Sequence, residues 1–163
     1  MANMCANFLD IIGGEEVNKK AFIDSFKELK RVADETGNYP FPEEIEETPE
    51  NTHSLCDFNI DEEHQMVSFL SRWSCPVELL RDLAKHYKIS FKCEYDEGVY
   101  YYGATFYYHE TDSSKDIDLD EEDLAQYSYD DDLDVHFFRG KSWDSDTEIL
   151  DILLTEKIKR SEQ

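Results

Sequence analysis

The chain has 163 residues, with 39 Asp plus Glu against 16 Lys plus Arg, a formal net charge of −23 and a pI near 4.3. Charge of that sign excludes ordinary nucleic-acid binding, where phosphate contacts need a basic surface, and docking on an anionic membrane. Hydrophobic residues make up 40% of the chain, with ten Phe and ten Tyr, enough apolar mass for the core of one domain and unlike a disordered acidic polymer.

The start, MANMCANFLDIIGG, has no basic segment, and Asp10 interrupts its apolar run, so it does not read as a signal peptide. No stretch approaches the roughly 20 apolar residues of a membrane-spanning helix. Cys5, Cys56, Cys75 and Cys93 are scattered without a CxxC pair. They are expected to be small core residues in a reducing, cytoplasmic protein, rather than disulfides or a zinc site.

Residues 5–12 read as a first strand ended by Gly13-Gly14. A helix is predicted from Glu15 to Ala33, because Phe22, Phe26, Leu29 and Ala33 share one helical face. Glu15 and Glu16 in its first turn and Lys30-Arg31 in its last suit the helix dipole, and Gly37 is its stop. Residues 38–52 hold three of the four prolines and no Lys or Arg, which predicts a loop with at most one helical turn. Residues 53–60 and 65–73 read as two strands joined by a turn at Asp61-Glu62-Glu63, with Val67, Phe69, Ser71 and Trp73 on one face.

Pro76 opens a second helix, with Leu80, Leu83, Ala84 and Tyr87 on its apolar side. Residues 89–95 alternate, with Ile89, Phe91, Cys93 and Tyr95 pointing one way. A turn at Asp96-Glu97-Gly98 joins them to a strand at 99–110, as a hairpin. The order is β-α-β-β-α-β-β, and its first six elements match the split βαβ, or ferredoxin-like, arrangement: an α+β fold with an antiparallel sheet and both helices on one face. Residues 134–138 read as one more strand, and Ser145 with Glu148 as a capping box for a final helix. The stripe of Ile149, Leu150, Ile152, Leu153, Leu154 and Ile158 must pack on the domain or on a second copy, which allows a homodimer. The expected division is a ferredoxin-like core at 1–110 and an acidic extension at 111–163 packed on it.

Four segments resemble a known family. Asn3-Met4-Cys5-Ala6-Asn7-Phe8-Leu9-Asp10-Ile11-Ile12-Gly13 is similar to the Asn-aromatic-Cys-x-Asn-x-Leu-x-Ile-x-Gly opening of the YubB-type ferredoxin-like domain. Pro40-Phe41-Pro42-Glu43-Glu44 resembles its Pro-x-Pro-Glu-Glu segment, and residues 69–76, FLSRWSCP, its strand-to-helix junction. Leu83-Ala84, Tyr87, Phe91, Tyr95, Glu97 and Gly103 continue the pattern through residue 110. Met4 stands where an aromatic is usual, and Phe58-Asn59-Ile60-Asp61 lies where a Trp-Gly-Thr-Lys-Trp stretch is common. The resemblance implies the ferredoxin-like fold and an origin in phages, plasmids or other bacterial mobile elements; it implies no catalytic residues.

The residues that stand out are acidic. Glu43, Glu44, Glu46 and Glu47 form one run. Asp116, Asp118, Asp120, Glu121, Glu122, Asp123, Asp130, Asp131, Asp132 and Asp134 form a second. Carboxylates at i and i+2 on a strand stand roughly 6.6–6.8 Å apart, comparable to neighbouring phosphates. Asp116, Asp118 and Asp120, alternating with Ile117 and Leu119, present such a row. These residues are the candidate contacts for a basic host protein, including a nucleic-acid-binding defence enzyme that the chain would inhibit as a nucleic-acid mimic.

Against this stands a solvated acidic surface with no partner. Asp116, Asp118 and Asp120 also have the 1, 3, 5 spacing of a calcium loop, but Glu121 and Tyr127 stand where a Gly and a bidentate Glu belong, so no residue is assigned to a metal. Tyr95, Tyr100, Tyr101, Tyr102, Tyr107, Tyr108, Tyr127 and Tyr129 suit either a sheet or a protein-docking surface, so the alternatives are an accessory interaction module without mimicry or a divalent-metal-binding protein with a looser ion site among residues 112–134. His53, His64, His86, His109 and His136 show no HxH or HExxH spacing, and there is no GxSxG, Walker or GxGxxG motif. The expectation is a non-enzyme with no catalytic residues and no cofactor.

Overall fold

A computed structural model describes residues 3–98 and 101–163. Strand β1, Met4–Gly13, leads into helix α1, Glu16–Thr36. Strands β2, Leu55–Asp61, and β3, Met66–Arg72, follow, then helix α2, Val77–Tyr87. Strands β4, Ser90–Asp96, and β5, Tyr102–Tyr108, complete the hairpin. Beyond them come β6, Ser113–Asp118, the short α3, Glu121–Leu124, and strands β7, Tyr127–Asp130, β8, Val135–Phe138, and β9, Lys141–Trp143. Helix α4, Thr147–Ser161, is the last described element. No helix among the described residues is long and apolar enough to cross a membrane.

The first four strands take the order β2-β3-β1-β4 inside a six-stranded sheet that continues through β5 to β6. The pairs β1–β3, β1–β4, β2–β3 and β4–β5 are all antiparallel. This is the split βαβ arrangement that the element order predicts. Register explains the core. Leu9 faces Val67 and Cys93 across its two neighbours, and Phe91 faces Tyr107, so these side chains share one side of the pleat. They form one buried cluster with Phe22, Phe26 and Leu29 of α1 and Leu79, Leu80 and Leu83 of α2, which puts both helices on that side. Cys5, Cys75 and Cys93 are buried in it and Cys56 is half-buried, all as free thiols.

The chain divides into two compact units, Met1–Asp116 and Ile117–Gln163. In the second, a three-stranded sheet of order β7-β8-β9 accompanies α3 and α4, and Ile117, Leu119, Phe138, Ile149, Leu150, Leu153 and Leu154 are buried.

Several local expectations change. Helix α1 runs a turn beyond Ala33 to Gly37, whose φ of 68° stops it, so Lys30 and Arg31 are not in the last turn; they pair with Asp34 and with Glu28 and Glu35. Trp73 leaves the β3 face at φ 70° and is 59% exposed, while its N–H donates to the Asn3 carbonyl. Pro76 is the N-cap of α2 rather than its first helical residue. The strand expected at 99–110 is found at Tyr102–Tyr108, followed by a turn; Val99 and Tyr100 lie outside the described residues. Asp146, not Ser145, is the N-cap of α4, without a side-chain capping bond, although Ser145 Oγ accepts the Thr147 N–H at 3.1 Å. Gly14 joins β1 to α1 at φ 124°, where a Cβ would come within 3.1 Å of the Lys88 carbonyl, so glycine is required there.

Candidate functional site: the acidic surfaces

The first acidic run lies on the loop between α1 and β2. Buried Asn51 ties that loop down: its Nδ2 donates to the Glu46 carbonyl at 2.9 Å and to Asp82 at 3.0 Å, and its Oδ1 accepts the Thr48 N–H at 2.8 Å. Glu44 accepts the Tyr87 hydroxyl at 2.5 Å, and Glu47 accepts the Thr52 hydroxyl at 3.2 Å. Burial, with Glu44 beside it, pushes the Tyr87 hydroxyl well above its usual range. Glu43 and Glu46 are exposed, and their carboxylates make no bond or ion pair among the described residues.

The second run is folded. Along β6 and its continuation, Ile117 and Leu119 are buried while Asp116, Asp118 and Asp120 are exposed, so the alternating row exists. Its members are not equivalent. Asp116 accepts from Thr105 at 2.5 Å and from Arg81 at 2.9 Å. Asp120 caps α3, accepting the N–H groups of Glu122 and Asp123 at 3.0 Å each, while the Asp123 carboxylate accepts the Asp120 N–H. Lys157 bridges both carboxylates, 2.7 Å from Asp120 and 2.5 Å from Asp123. This Lys157 bond, with the cap N–H groups, lowers the Asp120 pKa to about 2. Asp123 is 5% exposed and so offers nothing to a partner.

At the β7–β8 turn, Asp130 accepts the N–H groups of Asp132 and Leu133 at 3.0 and 3.1 Å, and Asp134 accepts the Tyr129 hydroxyl at 2.6 Å. Asp131 and Asp132 stand exposed at the tip beside Leu133, and Glu121 and Glu122 are exposed on α3. Within the two runs, the exposed carboxylates that make no side-chain bond or ion pair among the described residues are thus Glu43, Glu46, Glu121, Glu122, Asp131 and Asp132. Of the others, Glu44, Glu47 and Asp134 accept hydroxyls, and Asp116, Asp120, Asp123 and Asp130 hold a cap, a turn or an ion pair. The sequence marked the acids but not this division, which depends on Arg81, Lys157, Tyr87 and Tyr129, all remote or on other elements.

The calcium-like spacing does not become a ligand set, because Asp116 and Asp120 are taken up by Arg81, Thr105, Lys157 and the α3 cap. Among the described residues no group of three or more His, Cys, Asp or Glu is placed to hold a metal ion. Tyr95 and Tyr107 line the core, whereas Tyr101, Tyr108 and Tyr129 are exposed. One surface was legible in the β1 alternation and passed over: Met4 and Phe8 face away from the helices, with Met66 opposite Asp10 on the same side, and all three are exposed.

Residues 52–153, more than half of the chain, match the family described as the ferredoxin-like domain in Api92-like protein. The chain belongs to that family. Its match begins just ahead of β2 and ends within α4, so the acidic strands and α3 lie inside it. No curated protein and no solved structure matches the chain.

Proposed function

We propose that this chain is a non-enzymatic protein of a bacterial mobile element, a phage or plasmid, that acts in the cytoplasm by binding a basic host protein. In its sharper form, the carboxylates take the place of nucleic-acid phosphates and occupy the basic groove of a DNA- or RNA-binding defence enzyme. The mobile-element origin rests on the YubB-type resemblance of residues 1–110. The observation that carries the binding reading is the segment 117–138: nine carboxylates, of which Asp123 alone is buried, and no Lys or Arg, on backbone that is almost all strand, helix or turn rather than a loose tail. A fixed array presents its charges at set spacing, which a disordered acidic tail cannot do, and its field speeds encounter with a basic partner.

The test is retention of proteins from a bacterial host lysate on the immobilised chain, with elution by duplex DNA. The partner is a nucleic-acid enzyme released by DNA, and the variant Glu121→Gln, Glu122→Gln, Asp131→Asn, Asp132→Asn loses it while keeping its melting temperature. Retention indifferent both to DNA and to these substitutions overturns mimicry. A second reading, an accessory interaction module without mimicry, is favoured by exposed Met4, Phe8 and Met66; it predicts retention that survives high salt and is lost in Phe8→Ser.

A further inference from the structure

A groove of about 430 Å³ opens between α1 and residues 41–44, within the first unit. Leu29, Val32, Phe41, Pro42 and Tyr87 give it an apolar, aromatic lining. Asp24, Glu28, Glu43 and Glu44 add four carboxylates, and no Lys or Arg lines it. Three of those carboxylates have partners: Asp24 bonds Lys20, Glu28 bonds Arg31, and Glu44 takes the Tyr87 hydroxyl. Glu43 is exposed and makes no side-chain bond among the described residues.

We propose that this groove docks an arginine side chain of a basic protein partner. The volume lies at the small end of ligand sites, which run from about 300 to 1,000 Å³, so it suits one or two side chains rather than a large cofactor. The carboxylate lining repels anions and penalises a neutral guest that would strip their water. A cation on an apolar stem satisfies both halves: its methylenes cover Leu29 and Val32 while its charged head meets the carboxylates. Arginine is chosen over lysine because the aromatic residues Phe41 and Tyr87 line the groove, and a flat, weakly hydrated guanidinium can stack on an aromatic ring while its fork of N–H groups reaches a carboxylate. The inference rests on the basic-partner reading but uses a different surface from 117–138.

The probe is a nona-arginine peptide, with nona-lysine as comparator, measured by fluorescence anisotropy at physiological salt and by backbone amide NMR shifts of the full chain. The expected result is a set of shifts centred on Val32, Phe41 and Glu43, and tighter binding of the arginine peptide. Glu28→Gln with Glu43→Gln should weaken it about tenfold, and Phe41→Ala should erase the preference over lysine. Glu121→Gln with Glu122→Gln removes the same charge elsewhere and should leave the affinity within about twofold. Equal losses in the two double variants, shifts confined to 117–138, or equal affinity for both peptides would each overturn the proposal. Shifts confined to 117–138 would still agree with the function proposed above, so the two ideas can fail separately. Melting temperatures of the variants confirm that each remains folded.

Discussion

Asn7 lies fully buried at the middle of β1, opposite Phe69 on one neighbouring strand and Tyr95 on the other. Its Nδ2 donates to the Cys5 carbonyl at 3.0 Å, the Phe69 carbonyl at 3.3 Å and Ser71 Oγ at 2.9 Å. Ser71 in turn donates to the Ser74 carbonyl at 2.7 Å, at the exit from β3. A buried amide is costly unless its partners are met, and here it ties β1 to β3. Asn7→Leu keeps similar bulk but strips Ser71 Oγ and the Cys5 and Phe69 carbonyls of this donor. Urea unfolding should show a loss of about 2 kcal/mol, against about 1 kcal/mol for Ser71→Ala, which removes one member only. An Asn7→Leu protein as stable as the parent would show that the amide is dispensable. The sequence does display Asn7 inside the first strand, but as a polar residue among apolar ones; its partners on β3 stand more than 60 positions away.

At the scale of elements, α3 is a four-residue helix that no intrinsic propensity would sustain. A reciprocal cap between Asp120 and Asp123 starts it, and Lys157 of α4 clamps both carboxylates from outside. Asp120 therefore has a folded pKa near 2, below its ordinary 3.8. A group depressed on folding binds more protons when unfolded, so its stabilising effect is present above about pH 4 and is lost as pH falls towards 2. Lys157→Met should raise the Asp120 midpoint towards 3.8, read from its carboxyl carbon shift in an NMR titration. A midpoint that stays near 2 would mean that the backbone N–H groups alone hold the charge. The same region shows where sequence reading stops. The ferredoxin-like elements were legible because β1, β3 and β4 alternate cleanly and α1 and α2 each carry an apolar face. Strands β7 and β9 were not, and β6 only in the alternating row that begins at Asp116. Asp and Ser disfavour strands, and β6, SSKDID, buries only Ile117. Each strand of the second sheet is four residues or fewer and buries at most Phe138, which leaves no alternation to read. Pairing with neighbours, not local preference, makes them strands.

For the whole molecule, charge sets the terms. Even if all 16 Lys and Arg each neutralised one acid, 23 of the 39 carboxylates would remain unmatched. The ion pairs present are mostly exposed, many of them three or four residues apart on α1, where water screens them and each contributes little. Salt weakens them, which lowers stability a little. It also screens the repulsion among the unmatched carboxylates, which raises stability, because the Debye length falls from about 30 Å at 0.01 M to about 3 Å at 1 M. The repulsive sum is spread over many more pairs than the attractive one, so screening of repulsion wins. The melting temperature should climb by several degrees between 10 mM and 500 mM NaCl. The rise should be smaller in Glu121→Gln, Glu122→Gln, Asp131→Asn, Asp132→Asn, which starts with four fewer charges. Sodium chloride rather than sulfate is the appropriate salt, since sulfate strengthens apolar burial by itself. A melting temperature that falls with added NaCl would mean that the ion pairs outweigh the excess, and the fold would then depend on Lys157, Arg81 and their like rather than merely tolerate its acids.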